Sequence, residues 1–116
     1  MTKILRYNLH KDRNTILPGN PIMMPPGSTT LSTQMMPDGL SVWALCPNAS
    51  LEPTEAHYFA VVATGSDIPD WLGDCRFLGT LQYHLTSQPG KVKVDHIWEL
   101  SEHDAKALSL AKNIAG

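Results

Sequence analysis

Charge is scarce in this sequence, and cysteine nearly absent. Only 17% of the 116 residues are charged, and nine basic against eleven acidic side chains leave a formal charge of −2; soluble domains usually carry roughly 25%. No basic run is denser than Lys91-Val92-Lys93. That argues against a duplex-binding protein, because clustered Lys and Arg supply most of the sequence-independent affinity for phosphate. Cys46 and Cys75 lie far apart, in no paired spacing, which speaks against a disulfide framework and fits reduced core thiols in a cytosol. No apolar run approaches the ~20 residues of a membrane helix. The first residues turn polar again at Asn8 and His10, so they lack the apolar core of a secretory signal. The expectation is a cytoplasmic protein with neither a membrane nor double-stranded nucleic acid as partner.

Metal signatures are missing too. Five histidines (His10, His57, His84, His96, His103) are present, yet there is no His-x-x-x-His and no Cys-x-x-Cys, the compact spacings that hold a metal. His84 and His96 would meet only if they faced each other across a hairpin at Ser87-Gln88-Pro89-Gly90. The simpler reading packs His96 beside Trp98 and leaves His84 in solvent. No metal and no cofactor is expected. Cys46, at a strand end, and Cys75, opening an apolar strand, read as small core hydrophobes and not as nucleophiles.

What is present is a period of two, the mark of strands with one buried face. Leu5, Tyr7 and Leu9 alternate with Arg6 and Asn8; Phe77, Leu81, Tyr83 and Leu85 with Arg76, Thr80, Gln82 and His84; Val92, Val94, His96 and Trp98 with Lys91, Lys93, Asp95 and Glu99. Residues 58–63 (Tyr-Phe-Ala-Val-Val-Ala) are apolar on both faces, as in a central strand. Turns are written at Pro18-Gly19-Asn20-Pro21, Pro25-Pro26-Gly27, Pro37-Asp38-Gly39 and Gln88-Pro89-Gly90, each with a proline of preset φ and a glycine tolerant of φ > 0. The third predicts a hairpin joining Thr29–Met36 to Leu40–Cys46, with Leu31, Thr33 and Met35 on one face. Nine prolines oppose long helices, except at the C-terminus. There Ser101-Glu102-His103-Asp104 reads as a cap with acids in the first turn, followed by Ala105, Leu108, Ala111 and Ile114. The pattern predicts one mainly β domain over residues 1–100, a small antiparallel β-sandwich or partly open barrel of five to seven strands. A short helix over 101–116 is packed on it or projects from it.

The candidate site is the segment Thr64–Asp74. It is longer than a usual connection, and Thr64, Gly65, Ser66, Asp67, Ile68, Asp70 and Trp71 give it exposed polar, acidic and apolar groups that a scaffold can present to a partner. Asp67, Asp70 and Asp74 are also ordinary turn formers. Met23, Met24, Met35 and Met36 form two pairs near turns, and alternation sends one member of each pair outward.

Several short motifs in order carry a resemblance: Ile22, Met24, Pro25 and Gly27; Leu31 and Gln34; Val42, Trp43 and Ala44; Thr64, Gly65, Ile68 and Pro69; Leu78, Gly79, Thr80 and Gln82; His96, Trp98 and Glu99. On these residues the stretch Ile22–Leu100 resembles a family of small accessory proteins encoded by bacteriophages and prophages. Such relatives read Gly-Thr-Gly-His in the long loop where this chain has Ala63-Thr64-Gly65-Ser66, so any role of that histidine does not carry over. The resemblance implies work in a host cytoplasm and no assigned activity.

Small size and the lack of a catalytic constellation favour a binding protein. It would dock on a host or antiviral-defence protein, or sequester a small signalling ligand, through Thr64–Asp74 and a neighbouring strand edge. A small hydrolase using Asp67, Asp70 or a histidine as general base is the alternative, and a minor virion or assembly component is a third. Low charge and an unpaired edge also favour a homodimer.

Overall fold

The computed structural model describes residues 1–9, 21–84 and 89–115. The expected turn at Pro18–Asn20, His10, and Leu85 to Gln88 lie outside them, as do the side chains of Tyr83, Ala111 and Ile114. Seven strands follow in order, β1 (Lys3–Asn8), β2 (Ile22–Met24), β3 (Thr29–Met36), β4 (Gly39–Cys46), β5 (Glu55–Ala63), β6 (Arg76–His84) and β7 (Val92–Leu100). A 3-10 turn (Asp70–Asp74) precedes β6, and helix α1 (Glu102–Ala115) ends the chain.

All pairings are antiparallel. They build a three-stranded sheet ordered β1-β4-β3 and a four-stranded sheet ordered β2-β5-β7-β6. The two sheets form a sandwich and do not close into a barrel. Between them lie Met24, Val42, Ala44, Cys46 and Phe59 at one end, and Leu40, Val61 and Ile97 at the other.

The doubly apolar β5 is explained by a third layer. Phe59 and Val61 point at the other sheet, whereas Ala60 and Val62 point at Leu72, Leu100, Ala105 and Leu108. Helix α1 and the 3-10 turn thus cover part of the outer face of the four-stranded sheet, over β5 and the adjoining end of β7, and leave Phe77 on β6 exposed. The helix starts where the sequence places it: Ser101 Oγ accepts the Asp104 N–H at 3.1 Å, with Glu102 and Asp104 in the first turn, acids that favour the positive end of the helix dipole.

The β3–β4 hairpin forms as expected, with Met36 opposite Gly39 and Pro37-Asp38 as its turn; Gly39 takes φ +125°. Three alternations are corrected, those of β3 and β6 by bulges and that of β7 without one. In β3 the register slips between Thr30 and Ser32, so Leu31 is the extra residue and leaves the face of Thr33 and Met35. It ends 46% exposed, while Thr30 is fully buried. In β6 the slip falls between Phe77 and Gly79. Phe77 therefore turns to the outer face beside Trp98 while Leu78 and Leu81 turn inward. One extra residue reverses a period-two pattern. In β7 the row Val92, Val94, His96 and Trp98 is not the one between the sheets: Ile97 packs there with Val61 and Leu40, which brings Asp95 and Glu99 to the same face, with Asp95 and Ile97 buried and Val92 42% exposed. Val94, His96 and Trp98 lie on the outer face, where Trp98 packs against the third-layer core.

Candidate functional site

Two polar centres stand out, one on each face of the four-stranded sheet. The inner one begins with Glu55 and His57, which share a face of β5 with Phe59. On β7, Glu99 lies opposite both Phe59 and Arg76. Parity thus aims two glutamates, a histidine and an arginine into the space between the sheets. His57 Nε2 lies 2.7 Å from Glu55 Oε1 and its Nδ1 2.7 Å from Glu99 Oε1. Only the doubly protonated ring donates to both carboxylates.

Beyond Glu99 the chain of contacts crosses to the other sheet. The Thr30 hydroxyl donates to Glu99 Oε2. Arg76 donates to that hydroxyl at 3.0 Å, to the Thr30 carbonyl, and to Glu99 Oε2 at 3.4 Å. At the near end the Gly27 N–H donates to Glu55 Oε2 at 3.0 Å. That bond first, and His57 second, hold the Glu55 carboxyl below its ordinary range. His57 is 10% exposed and Glu99 16% by side chain. With both ring nitrogens occupied and Thr30 buried, the arrangement serves as a tie between sheets. It offers no free base beside an open nucleophile.

The outer centre is His96. Thr64, where β5 gives way to the long loop, sets its hydroxyl 2.7 Å from His96 Nε2, and Thr80, opposite on β6, sets its own 2.9 Å from Nδ1. The Thr64 N–H donates to the Val94 carbonyl at 3.1 Å and fixes the start of the loop. Gly65 then takes φ +90° in the turn closed by Ser66 N–H on Ala63 O at 3.2 Å. Next to His96, at 6.3 Å between ring centroids, lies Trp98, against which Phe77 leans at 5.0 Å and 59°. Phe77 is 52% exposed.

The segment Thr64–Asp74 divides into two parts. Thr64, Gly65, Ser66, Asp67 and Asp70 are exposed. Ile68 and Trp71 are half-buried against the third-layer core, and Leu72 beyond them is fully buried. Cys75 follows, half-buried, its thiol 3.7 Å from Asp104 Oδ2 and 3.8 Å from the Trp71 carbonyl. Burial, then the charges of Asp104 and Asp74, push that thiol up.

His84 and His96 do not face each other: His84 pairs with Val92 and His96 with Thr80. Among the described residues no three His, Cys, Asp or Glu side chains converge as metal ligands, and no helix is long and apolar enough to cross a membrane. Sequence reasoning missed the inner centre. Its signal was the Glu-x-His start of β5, where period two puts Glu55 and His57 on the face of Phe59.

Compared with known protein families, residues 1–107 match DUF7352, a domain of unknown function. No curated protein and no solved structure matches the chain.

Proposed function

This chain belongs to the DUF7352 family of domains of unknown function, and for it we propose a binding role, exerted on another protein through the outer face of the four-stranded sheet. The contact surface would centre on Phe77 and Trp98, with His96, Thr80 and the exposed tip Thr64–Asp67 beside them. The observation that supports this is Phe77, a large aromatic that the β6 bulge turns outward onto Trp98, leaving half its surface in solvent. An aromatic anchored on a rigid sheet loses little conformational entropy on binding and belongs to the residue types that dominate interface energies. The loop tip adds hydroxyl and carboxylate groups of the kind found at the rim of such a patch.

The likeness to phage-encoded accessory proteins gives the partner its class: a host or antiviral-defence protein met in the host cytoplasm. A small signalling ligand is the variant of this reading that a thermal-shift assay detects.

The test compares proteins captured from host lysate by the immobilised wild type, Phe77→Ala and His96→Ala, each first shown to keep its strand signal in circular dichroism. The expected result is a discrete partner retained by the wild type and lost, or weakened at least tenfold, with Phe77→Ala. Equal capture by wild type and Phe77→Ala overturns the assignment of the surface. Hydrolysis of model esters or phosphodiesters that disappears in Asp67→Ala or Asp70→Ala would replace binding with catalysis.

A further inference from the structure

We propose that β1 is a self-pairing edge, through which two copies of this chain join their three-stranded sheets into one six-stranded sheet. The inference is independent of the outer-face binding reading and rests on the opposite sheet.

Among the described residues β1 ends its sheet, paired with β4 alone. The Leu9 N–H donates to the Leu40 carbonyl at 2.8 Å, in line with the register Lys3↔Cys46 to Asn8↔Ser41. In an antiparallel ladder hydrogen-bonded pairs alternate, so Lys3, Leu5, Tyr7 and Leu9 aim their backbone groups at β4. Ile4, Arg6 and Asn8 aim theirs away from it. Each directs one donor and one acceptor to the side away from β4, where no described residue pairs with it, a self-complementary row for a strand running the opposite way.

Three further observations favour a second copy as the occupant. Ile4 is 60% exposed, and in the outer-face row it leads to Leu45, itself an exposed apolar residue. Leu5, Tyr7 and Leu9, the core-facing side chains of β1, remain half-buried; a β1 from a second copy extends the layer against which they pack. A formal charge of −2 makes repulsion between copies weak.

Charge also selects the register. Centring the two-fold axis on Arg6 would place two arginines directly opposite, a destabilising pair. Centring it on Leu5 bonds Ile4 to Arg6 of the second copy and the reverse. Arg6 then lies across an apolar residue while keeping its own ion pair with Asp38 at 2.9 Å. Such a pairing is isologous and closes after two chains.

The test is sedimentation velocity and light scattering on the full chain over a hundredfold concentration range. The wild type is expected to approach twice its 12.8 kDa mass. Arg6→Pro is the decisive variant: it deletes an outward N–H that an edge strand spares, so strand content should persist while the dimer is lost. Ile4→Lys, which changes no backbone group, should weaken association at least tenfold. A mass of one chain at every concentration overturns the proposal, as does a dimer untouched by both variants. A dimer broken by Leu31→Lys or Ser32→Lys but not by Ile4→Lys also overturns it, because those residues lie on β3, away from the edge.

Discussion

Arg76 on β6 and Thr30 on β3 belong to different sheets, yet the Arg76 guanidinium grips both the hydroxyl and the carbonyl of Thr30. Thr30 passes the contact on to Glu99, which holds one nitrogen of His57. The sandwich is therefore fastened by a polar chain at one end, in addition to its apolar filling.

Cutting that chain at its Arg76 end and at Glu99 in its middle should have unequal cost. Arg76 is half-exposed and water replaces it in part, so Arg76→Ala is expected to destabilise by about 1 kcal/mol. Glu99→Ala leaves His57, Thr30 and Arg76 without their shared acceptor in a mostly buried place, and about 2–4 kcal/mol is expected. Urea unfolding of the two variants measures both; equal losses would show that the chain of contacts carries no energetic order.

Acid should loosen the same end. Because Glu55 titrates below its ordinary 4.5 in the folded protein, the unfolded chain takes up the proton first as pH falls. Its contribution is thus complete above that value and disappears as pH drops through the folded one. Stability measured from pH 6 down to pH 3 should fall less steeply for Glu55→Gln than for the wild type. Parallel curves would remove Glu55 from the account.

Leu72 makes the long segment partly a core element. Leu72→Ala is expected to cost about 2–5 kcal/mol, as for other buried leucines cut to alanine. Asp67→Ala, at an exposed position of the same segment, should stay within ~0.5 kcal/mol. Thermal unfolding of the pair decides whether the 3-10 turn anchors the segment as described.

Cys75 should be a slow thiol. Burial and the carboxylates of Asp104 and Asp74 keep it protonated near neutral pH, and only the thiolate attacks disulfide reagents. Its reaction with such a reagent at pH 8 should lag behind a free thiol and accelerate several-fold in Asp104→Asn. Cys46, fully buried, should react only as the protein unfolds. A fast wild-type reaction assigned by mass spectrometry to Cys75 would contradict this environment.

Much of this architecture was legible in the chain. The Pro37-Asp38-Gly39 turn announced the β3–β4 hairpin, the apolar stretch 58–63 announced a strand covered on both faces, and Ser101 marked the start of α1. Leu31 and Phe77 were misplaced because a bulge adds a residue without any local composition that betrays it. The inner polar centre was hidden for a different reason. Thr30, Glu55, Arg76 and Glu99 are ordinary strand residues taken one at a time, and only the register of β5, β6 and β7, with β3 packed across, brings them together.

The two bulges have a consequence for how the protein behaves at high concentration. Open-ended fibre growth needs a flat, regular edge at both margins of a sheet. The three-stranded sheet has a regular margin at β1, but its other margin, β3, is kinked at Leu31. The four-stranded sheet ends in a three-residue β2 on one side and in β6, kinked at Leu78, on the other. Edge-to-edge addition on either sheet thus meets a bent or very short margin after one step. The bulges in β3 and β6, together with the shortness of β2, are features that disfavour continued edge-to-edge pairing of the folded chain.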